Sequence, residues 1–394
     1  MHHKQSSALS TPDSPQPVNS RGLRAAPGSD GAHWRLEKNL LRHSPLCAST
    51  AAGTASQGEK VPSCCSPAGR SEADHGRHGP DTPASFTLAV RPRADATAHA
   101  GVHDDVAVPA GTFAMGDPFD EGYLADGETP VHQVQLAAFS IDATAVTNTQ
   151  FAAFTAAAGY RTESELYGTS AVFHLAVAAD PADILGTAAG TPWWLNVRGA
   201  DWAHPAGRNS DWRDIPDHPV VQVSHTDALA YCAWADRALP TEAQWEYAAR
   251  GGLAQARFPW GNELHGTSDD GGTLHRCNIW QGTFPTENTG DDGYLTTAPV
   301  RSFEPNGYGL FQTSGNVWEW CADWFLPKYY KTALAQGIQT DPAGPTIGRG
   351  RVMRGGSYLC HDSYCNRYRL AARSSNSPES ASGNCGFRTV AAGG

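Results

Sequence analysis

Leu239-Pro-Thr-Glu-Ala-Gln-Trp-Glu-Tyr-Ala-Ala-Arg-Gly-Gly252 reads as a helix with its start and stop written in. Thr241 stands three residues ahead of Gln244, the spacing at which a short polar side chain and a longer one cap each other's backbone amides. Gly251 and Gly252 end the helix. Two more starts of this kind lie upstream. Thr147 precedes Gln150, with Phe151 and Phe154 at helical spacing and Gly159 as the stop. Ser224 precedes Asp227, and Ala228, Tyr231, Cys232 and Ala235 form one apolar stripe. Ahead of these helices, Val106–Gly116 and His132–Asp142 carry strand patterns. After Gly252 the pattern changes, and Trp, Gly, Asn and Asp dominate to residue 345. That composition predicts long structured loops held by aromatic anchors or ions, since a stretch of this length without ladders needs other anchors. Arg351–Ser357 and Arg367–Val390 return to short strands. The fold class is therefore α+β with little regular structure and no internal repeat.

The 394 residues divide by composition. Residues 1–98 are rich in Ser, Pro, Ala, Gly and His and lack periodic apolar runs, so they cannot bury enough surface to offset chain entropy. We expect a disordered or mis-assigned tail there and one ordered domain over 99–394. The whole chain has 29 Lys+Arg against 40 Asp+Glu, and 18 and 32 of these fall in the ordered part. That acidic balance argues against nucleic-acid binding, which needs a basic footprint. It is compatible with a cationic ligand or with nothing more than a soluble surface. No run of about 18 apolar residues occurs, and no apolar stretch with a cleavage site opens the chain. A soluble, cytoplasmic protein with no membrane contact is the expectation.

Of nine cysteines, Cys47, Cys64 and Cys65 lie in the tail. Among the other six, Cys360 and Cys365 alone are close in sequence. On a strand their odd separation sets them on opposite faces. On a helix they stand roughly 140° apart. A turn around His361-Asp362-Ser363 is what would bring the two sulfurs together. Converged thiolates suit a soft metal such as Cu(I), or a redox-active disulfide. The plainer reading is two unrelated buried thiols.

Five strings occur together: Asp142-Ala-Thr-Ala-Val-Thr-Asn-Thr-Gln-Phe151, the helix 239–252, Phe258-Pro-Trp-Gly-Asn262, Gly315-Asn-Val-Trp-Glu-Trp320, and Arg354-Gly-Gly-Ser357 with Gly386-Phe-Arg388. With these strings the chain resembles the sulfatase-modifying-factor family from Val106 to Thr389. The resemblance implies a C-type-lectin-like variant fold with two short sheets and long loops. It also implies an oxidase that converts the cysteine of a Cys-x-Pro-x-Arg segment in a sulfatase to Cα-formylglycine, using molecular oxygen and a thiol reductant. In that reading Cys360 and Cys365 hold Cu(I), and Ser357 lies near the reacting atoms. His361, Arg373 and Asn384 belong to the peptide site.

Calcium is the second metal the resemblance implies. One site would use Asn278, the Ile279 carbonyl, Asp292 and the Tyr294 carbonyl. Oxygen donors of this kind suit a hard cation that orders an irregular loop. The other would use the Gly315 and Val317 carbonyls with Glu319. Gln312 stands there in place of the usual Asn. Read alone, Asp291-Asp292-Gly293 is a plain turn. His225 takes the place of a frequent Trp near the active site, and Leu370 and Thr389 replace cysteines of secreted members. Two rivals stay open: an oxidase of the ergothioneine-synthase type, and a lectin-like binding module without catalysis.

Overall fold

The computed structural model describes residues 103–392. The tail expected over 1–98 lies outside the described residues. Helices α1 (Asn148–Ala158), α2 (Glu163–Tyr167), α3 (His225–Ala235) and α4 (Glu242–Ala249) each begin with a reciprocal cap. The capping pairs are Thr147 with Gln150, Thr162 with Glu165, Ser224 with Asp227 and Thr241 with Gln244. Three of these are the helices read from the sequence, and α2 is an addition of little more than one turn. The fifth, α5 (Tyr329–Gln336), has no side-chain cap on Lys328. It therefore carries no local start signal in a region read as loop. Gly251 and Gly252 follow α4 at φ of 56° and 86°, which a residue with a Cβ adopts poorly.

The strands are short. The two strand regions read near the start each split in two: Asp105–Val108 with Gly111–Met115, and His132–Leu136 with Phe139–Asp142. Asp105–Val108 pairs with Phe139–Asp142, and Gly111–Met115 pairs with His132–Leu136. A central sheet orders Arg373–Asn376, Arg351–Arg354, Trp318–Trp324 and Cys385–Gly386 side by side. A three-stranded sheet of Thr169–Phe173, Ile184–Ala188 and Thr191–Arg198 adds a hairpin unit that the sequence reading did not resolve. The loop-rich reading of 253–345 is amended by α5 and by one long strand. Trp318–Trp324 is a strand buried on both faces, so it shows no apolar alternation.

Aromatic rings fill the main core, where Phe151, Phe154, Tyr231, Trp318, Trp320 and Phe387 are almost wholly buried. Beside that core runs a buried ionic lattice. Arg354 donates to Glu242 at 2.8 Å and to Glu246 at 2.5 Å. Arg373 closes a two-pronged pair on Glu242 at 2.7 and 2.6 Å. Burial works against the charge on Glu246, but Arg250 and Arg354 outweigh it and hold that carboxyl down at about 2. Asp323 differs. Its Oδ2 accepts the Glu242 amide at 2.7 Å. Burial first, and the Glu242 charge second, push its carboxyl up to about 7.

A carboxyl raised in this way keeps a proton that the unfolded chain has released, so native stability falls as pH climbs from the unfolded value through about 7. Asp323→Asn keeps an oxygen for the Glu242 amide and removes the charge. We predict that the melting temperature of the variant, relative to wild type, is more favourable at about pH 8 than at about pH 5. A difference that is flat with pH would show that Asp323 does not titrate in this range.

Candidate active site

The strand Arg351–Arg354 leaves the central sheet through Gly355 and Gly356, both left-handed, at φ of 92° and 73°. A Cβ on Gly356 would meet the Arg367 carbonyl oxygen at 2.7 Å, so the chain passes itself here only without a side chain. Two tight turns follow. The Cys360 amide donates to the Ser357 carbonyl at 2.9 Å, and the Cys365 amide donates to the His361 carbonyl at 2.7 Å. Neither cysteine lies on a helix or strand, and both are fully buried in one cluster with Cys277 and Tyr368. Outside bonds fix the segment. The Trp280 amide donates to the Cys360 carbonyl at 3.0 Å, and the Tyr123 hydroxyl donates to the Tyr364 carbonyl at 3.1 Å. Just beyond, Arg367 pairs with Asp126 at 2.6 Å and Arg369 with Glu128 at 2.9 Å.

Ser357 sits against the first thiol, with its amide directed at Cys360 Sγ, 3.4 Å away. That contact fixes where the Cys360 sulfur lies relative to the Ser357 backbone. The Ser357 hydroxyl accepts from Asn384 Nδ2 at 2.9 Å, and Ser382 donates to Asn384 Oδ1 at 2.8 Å. Asn384 thus orients Ser357 and is itself shut away from solvent. Arg373 is enclosed in the same way. It is fully buried, with its guanidinium committed to Glu242 and stacked over Tyr330, 4.3 Å from the ring centroid. His361 is partly exposed on the turn, with Nδ1 2.7 Å from the Ser363 hydroxyl and 3.2 Å from Asp362.

His225 is enclosed as well. It opens α3, packs edge-on against Trp320 at 5.8 Å and is 2 % exposed. Burial, reinforced by Arg351, lowers its imidazole to about 3, so the ring is neutral. The sequence reading missed an aromatic wall beside the thiol turn. Tyr364 stacks on Phe284 at 4.3 Å, and Trp193 stands edge-on to both at 5.5 Å. All three are half-buried. They come from three separate segments, so spacing alone could not reveal them. Cys232, Cys277, Cys321 and Cys385 are buried thiols whose titration burial pushes up.

The oxygen donors separate into two groups. In the first, Asn278 Oδ1 is buried with no hydrogen-bond partner, while its Nδ2 is held by the Thr296 carbonyl at 2.8 Å. Asp292 accepts from the Ile279 and Tyr294 amides, both at 3.0 Å. Gln281 Nε2 donates to both the Ile279 carbonyl and Asp292, so those two acceptors face one point. Burial raises the Asp292 carboxyl. An unpartnered amide oxygen on Asn278, with the Ile279 carbonyl and the Asp292 carboxylate converging on Gln281 close by in sequence, is a donor set that suits a hard cation. In the second group, Gln312 Oε1 and the Thr313 and Ser314 hydroxyls are buried without partners. Gly315 is left-handed at φ of 77°, and a Cβ there would strike the Asn278 carbonyl, so the position takes only glycine. Glu319, however, is already matched. Arg388 holds both its oxygens at 2.6 and 2.7 Å, and Trp245 Nε1 donates at 2.7 Å. The negative charge that a second cation would draw on is therefore already neutralised.

Residues 91–392 match the sequence profile of the sulfatase-modifying factor enzyme 1-like domain. A formylglycine-generating enzyme of Streptomyces coelicolor is 63% identical over 283 residues, which span 72% of this chain and 87% of that protein. A formylglycine-generating enzyme of Bos taurus is 48% identical over 287 residues, 73% of this chain and 74% of that protein. Among solved structures, PvdO from Pseudomonas aeruginosa superposes with a TM-score of 0.51 at 24% identity, covering 73% of this chain and 93% of that one. At that identity it speaks for the fold alone, and it agrees with small sheets, few helices and long loops. On the span of the profile and the identity of these relatives, the chain is a member of the sulfatase-modifying factor enzyme 1-like family.

Proposed function

We propose that this protein oxidises the cysteine of a Cys-x-Pro-x-Arg segment in a sulfatase to Cα-formylglycine, with Cu(I) on Cys360 and Cys365. The observation that carries the proposal is the pair of buried thiols on successive tight turns, with the Ser357 amide directed at one of them. The names of the relatives support formylglycine formation; in the proposed reading that reaction consumes one dioxygen and a pair of reducing equivalents from a thiol. It replaces the substrate sulfur by oxygen and releases hydrogen sulfide and water.

The donor set fits the metal. Two soft thiolates select Cu(I) over hard cations, and two protein ligands leave room for the substrate thiol as a third. Bound there, copper would supply the dioxygen chemistry that no side chain can. The protein's own residues do the rest. Ser357 orients the Cys360 sulfur, and Asn384 fixes Ser357. Arg367 and Arg369 anchor the outgoing chain on Asp126 and Glu128. Trp193, Phe284 and Tyr364 present an apolar wall that keeps water from the reacting thiol.

Calcium in the first oxygen site fits the unpartnered Asn278 oxygen and the raised Asp292 carboxyl. Its part would be structural. The Cys277–Tyr294 loop meets the thiol turn through Trp280, and a cation would stiffen that contact. The second site fits less well, because Arg388 already balances Glu319.

Two outcomes follow. Cys360→Ala and Cys365→Ala should each abolish Cu(I) retention against a competing chelator, and each should abolish aldehyde formation on a Cys-x-Pro-x-Arg peptide, read by mass spectrometry. The double variant should lose nothing further, because the pair acts as one unit. Cys232→Ala and Cys321→Ala should keep activity apart from packing costs. Wild-type activity in either variant of the pair would overturn the mechanism. For calcium, chelation should lower the melting temperature. A free concentration a hundredfold above the dissociation constant should restore about 2.7 kcal/mol. Asp292→Ala should remove that response, and an unchanged response would exclude the site.

A further inference from the structure

The strands Gly266–Thr267 and Thr273–Leu274 form a small hairpin, with Gly266 opposite Leu274 and Thr267 opposite Thr273. Carried one residue outward, that antiparallel register sets His265 across from His275. The structure shows the result: the two imidazoles lie 4.9 Å apart between centroids, at 71° to one another. Directly opposed residues have Cβ atoms about 4.5–5.5 Å apart. Each metal–imidazole bond is about 2.0–2.1 Å, so one ion can span the gap between opposed rings.

The hairpin is built to hold that register. Its tip is closed by the Ser268 amide on the Gly272 carbonyl at 3.0 Å and the Gly271 amide on the Ser268 carbonyl at 2.9 Å. Asp270 ties it further, accepting from the Gly272 amide at 3.1 Å. His275 Nδ1 is sealed from solvent and has no hydrogen-bond partner. An unpaired buried polar atom is costly, and a ligand on its lone pair removes that cost. Burial and the neighbouring His275 lower the His265 imidazole, against a pull upward from Asp362. Neutral imidazoles are the ligating form. Asp362 pulls the His265 imidazole upward, and His275 pulls the Asp292 carboxyl downward. Arg276, which packs against Gly266, is the opposing charge nearby.

We propose that His265 and His275 together bind one borderline divalent d-block cation, Zn(II) as the type ion, at a site separate from the thiol pair. The donor chemistry separates the two sites. Imidazole nitrogens suit Zn(II), Ni(II) and Cu(II), whereas the thiolates select Cu(I). Asp362 lies on the turn between Cys360 and Cys365, so a charge on this cation acts on the segment that carries both sulfurs.

The test is a Zn(II) titration by calorimetry of the full chain, wild type against His265→Ala, His275→Ala and the double variant. Circular dichroism would confirm the fold of each. Thiol and tail contributions are common to all four proteins and cancel in the comparison. Each single variant should lose one equivalent of Zn(II), and the double should lose no more. The same number and affinity of sites in all four would overturn the proposal. Should His275→Ala fail to fold, the exposed His265 decides alone, because its loss cannot disturb a core. Crystals soaked in Zn(II) give an independent reading. Anomalous density between the two rings supports the site, and its absence at full soak refutes it.

Discussion

Buried arginine–carboxylate pairing is the constraint on which the structure rests. Arg354, Arg367, Arg369, Arg373 and Arg388 all come from the last stretch of the chain. Their acidic partners come from much earlier: Asp126 and Glu128, Glu242 and Glu246, and Glu319. Desolvating such charges is expensive, so these pairs are weak evidence for net stability. Their effect is on specificity. Removing one partner leaves an uncompensated buried charge, so only the arrangement that matches every arginine is tolerable. A chain with short strands and long loops needs that discipline, since its ladders are too brief to fix how distant segments meet.

The thiol turn inherits its geometry from this lattice. Gly356 allows the close crossing with Arg367, Arg354 fixes the strand before it, and Arg367 and Arg369 fix the chain after it. Between those anchors the two turns need only local hydrogen bonds. The cysteines then sit in an aromatic core, away from bulk water, with one backbone amide at sulfur and an aromatic wall alongside. Soft sulfur donors, hard oxygen donors and imidazole donors come from separate segments of the chain between His265 and Cys365. Donor softness, more than raw affinity, is what would keep their cations apart.

Much of this was legible in the residues, where the governing interactions are local. Among the described residues four of the five α-helices start on a cap three residues from its partner, and three of these were read from that signal. The turn between Cys360 and Cys365 follows from the failure of both strand and helix to join two sulfurs at that spacing. Other features were hidden for a physical reason. Trp318–Trp324 is covered on both faces and so lacks the alternation that marks a half-buried strand. Helix α5 starts without a side-chain cap.

The sequence by itself determined three helix starts, the α+β class, the family strings and the close spacing of the thiol pair, because capping and turn-making act over a few residues. Only the tertiary structure decided what the long-range partners are. Arg373 stands 131 residues from Glu242, so nothing in its neighbourhood separates a buried ion pair from a groove-lining residue. Asn384 turned out to hold Ser357, and His225 to pack on Trp320. In each case the side chain is the same in either role. What differs is which distant atom it meets, and chain folding alone sets that.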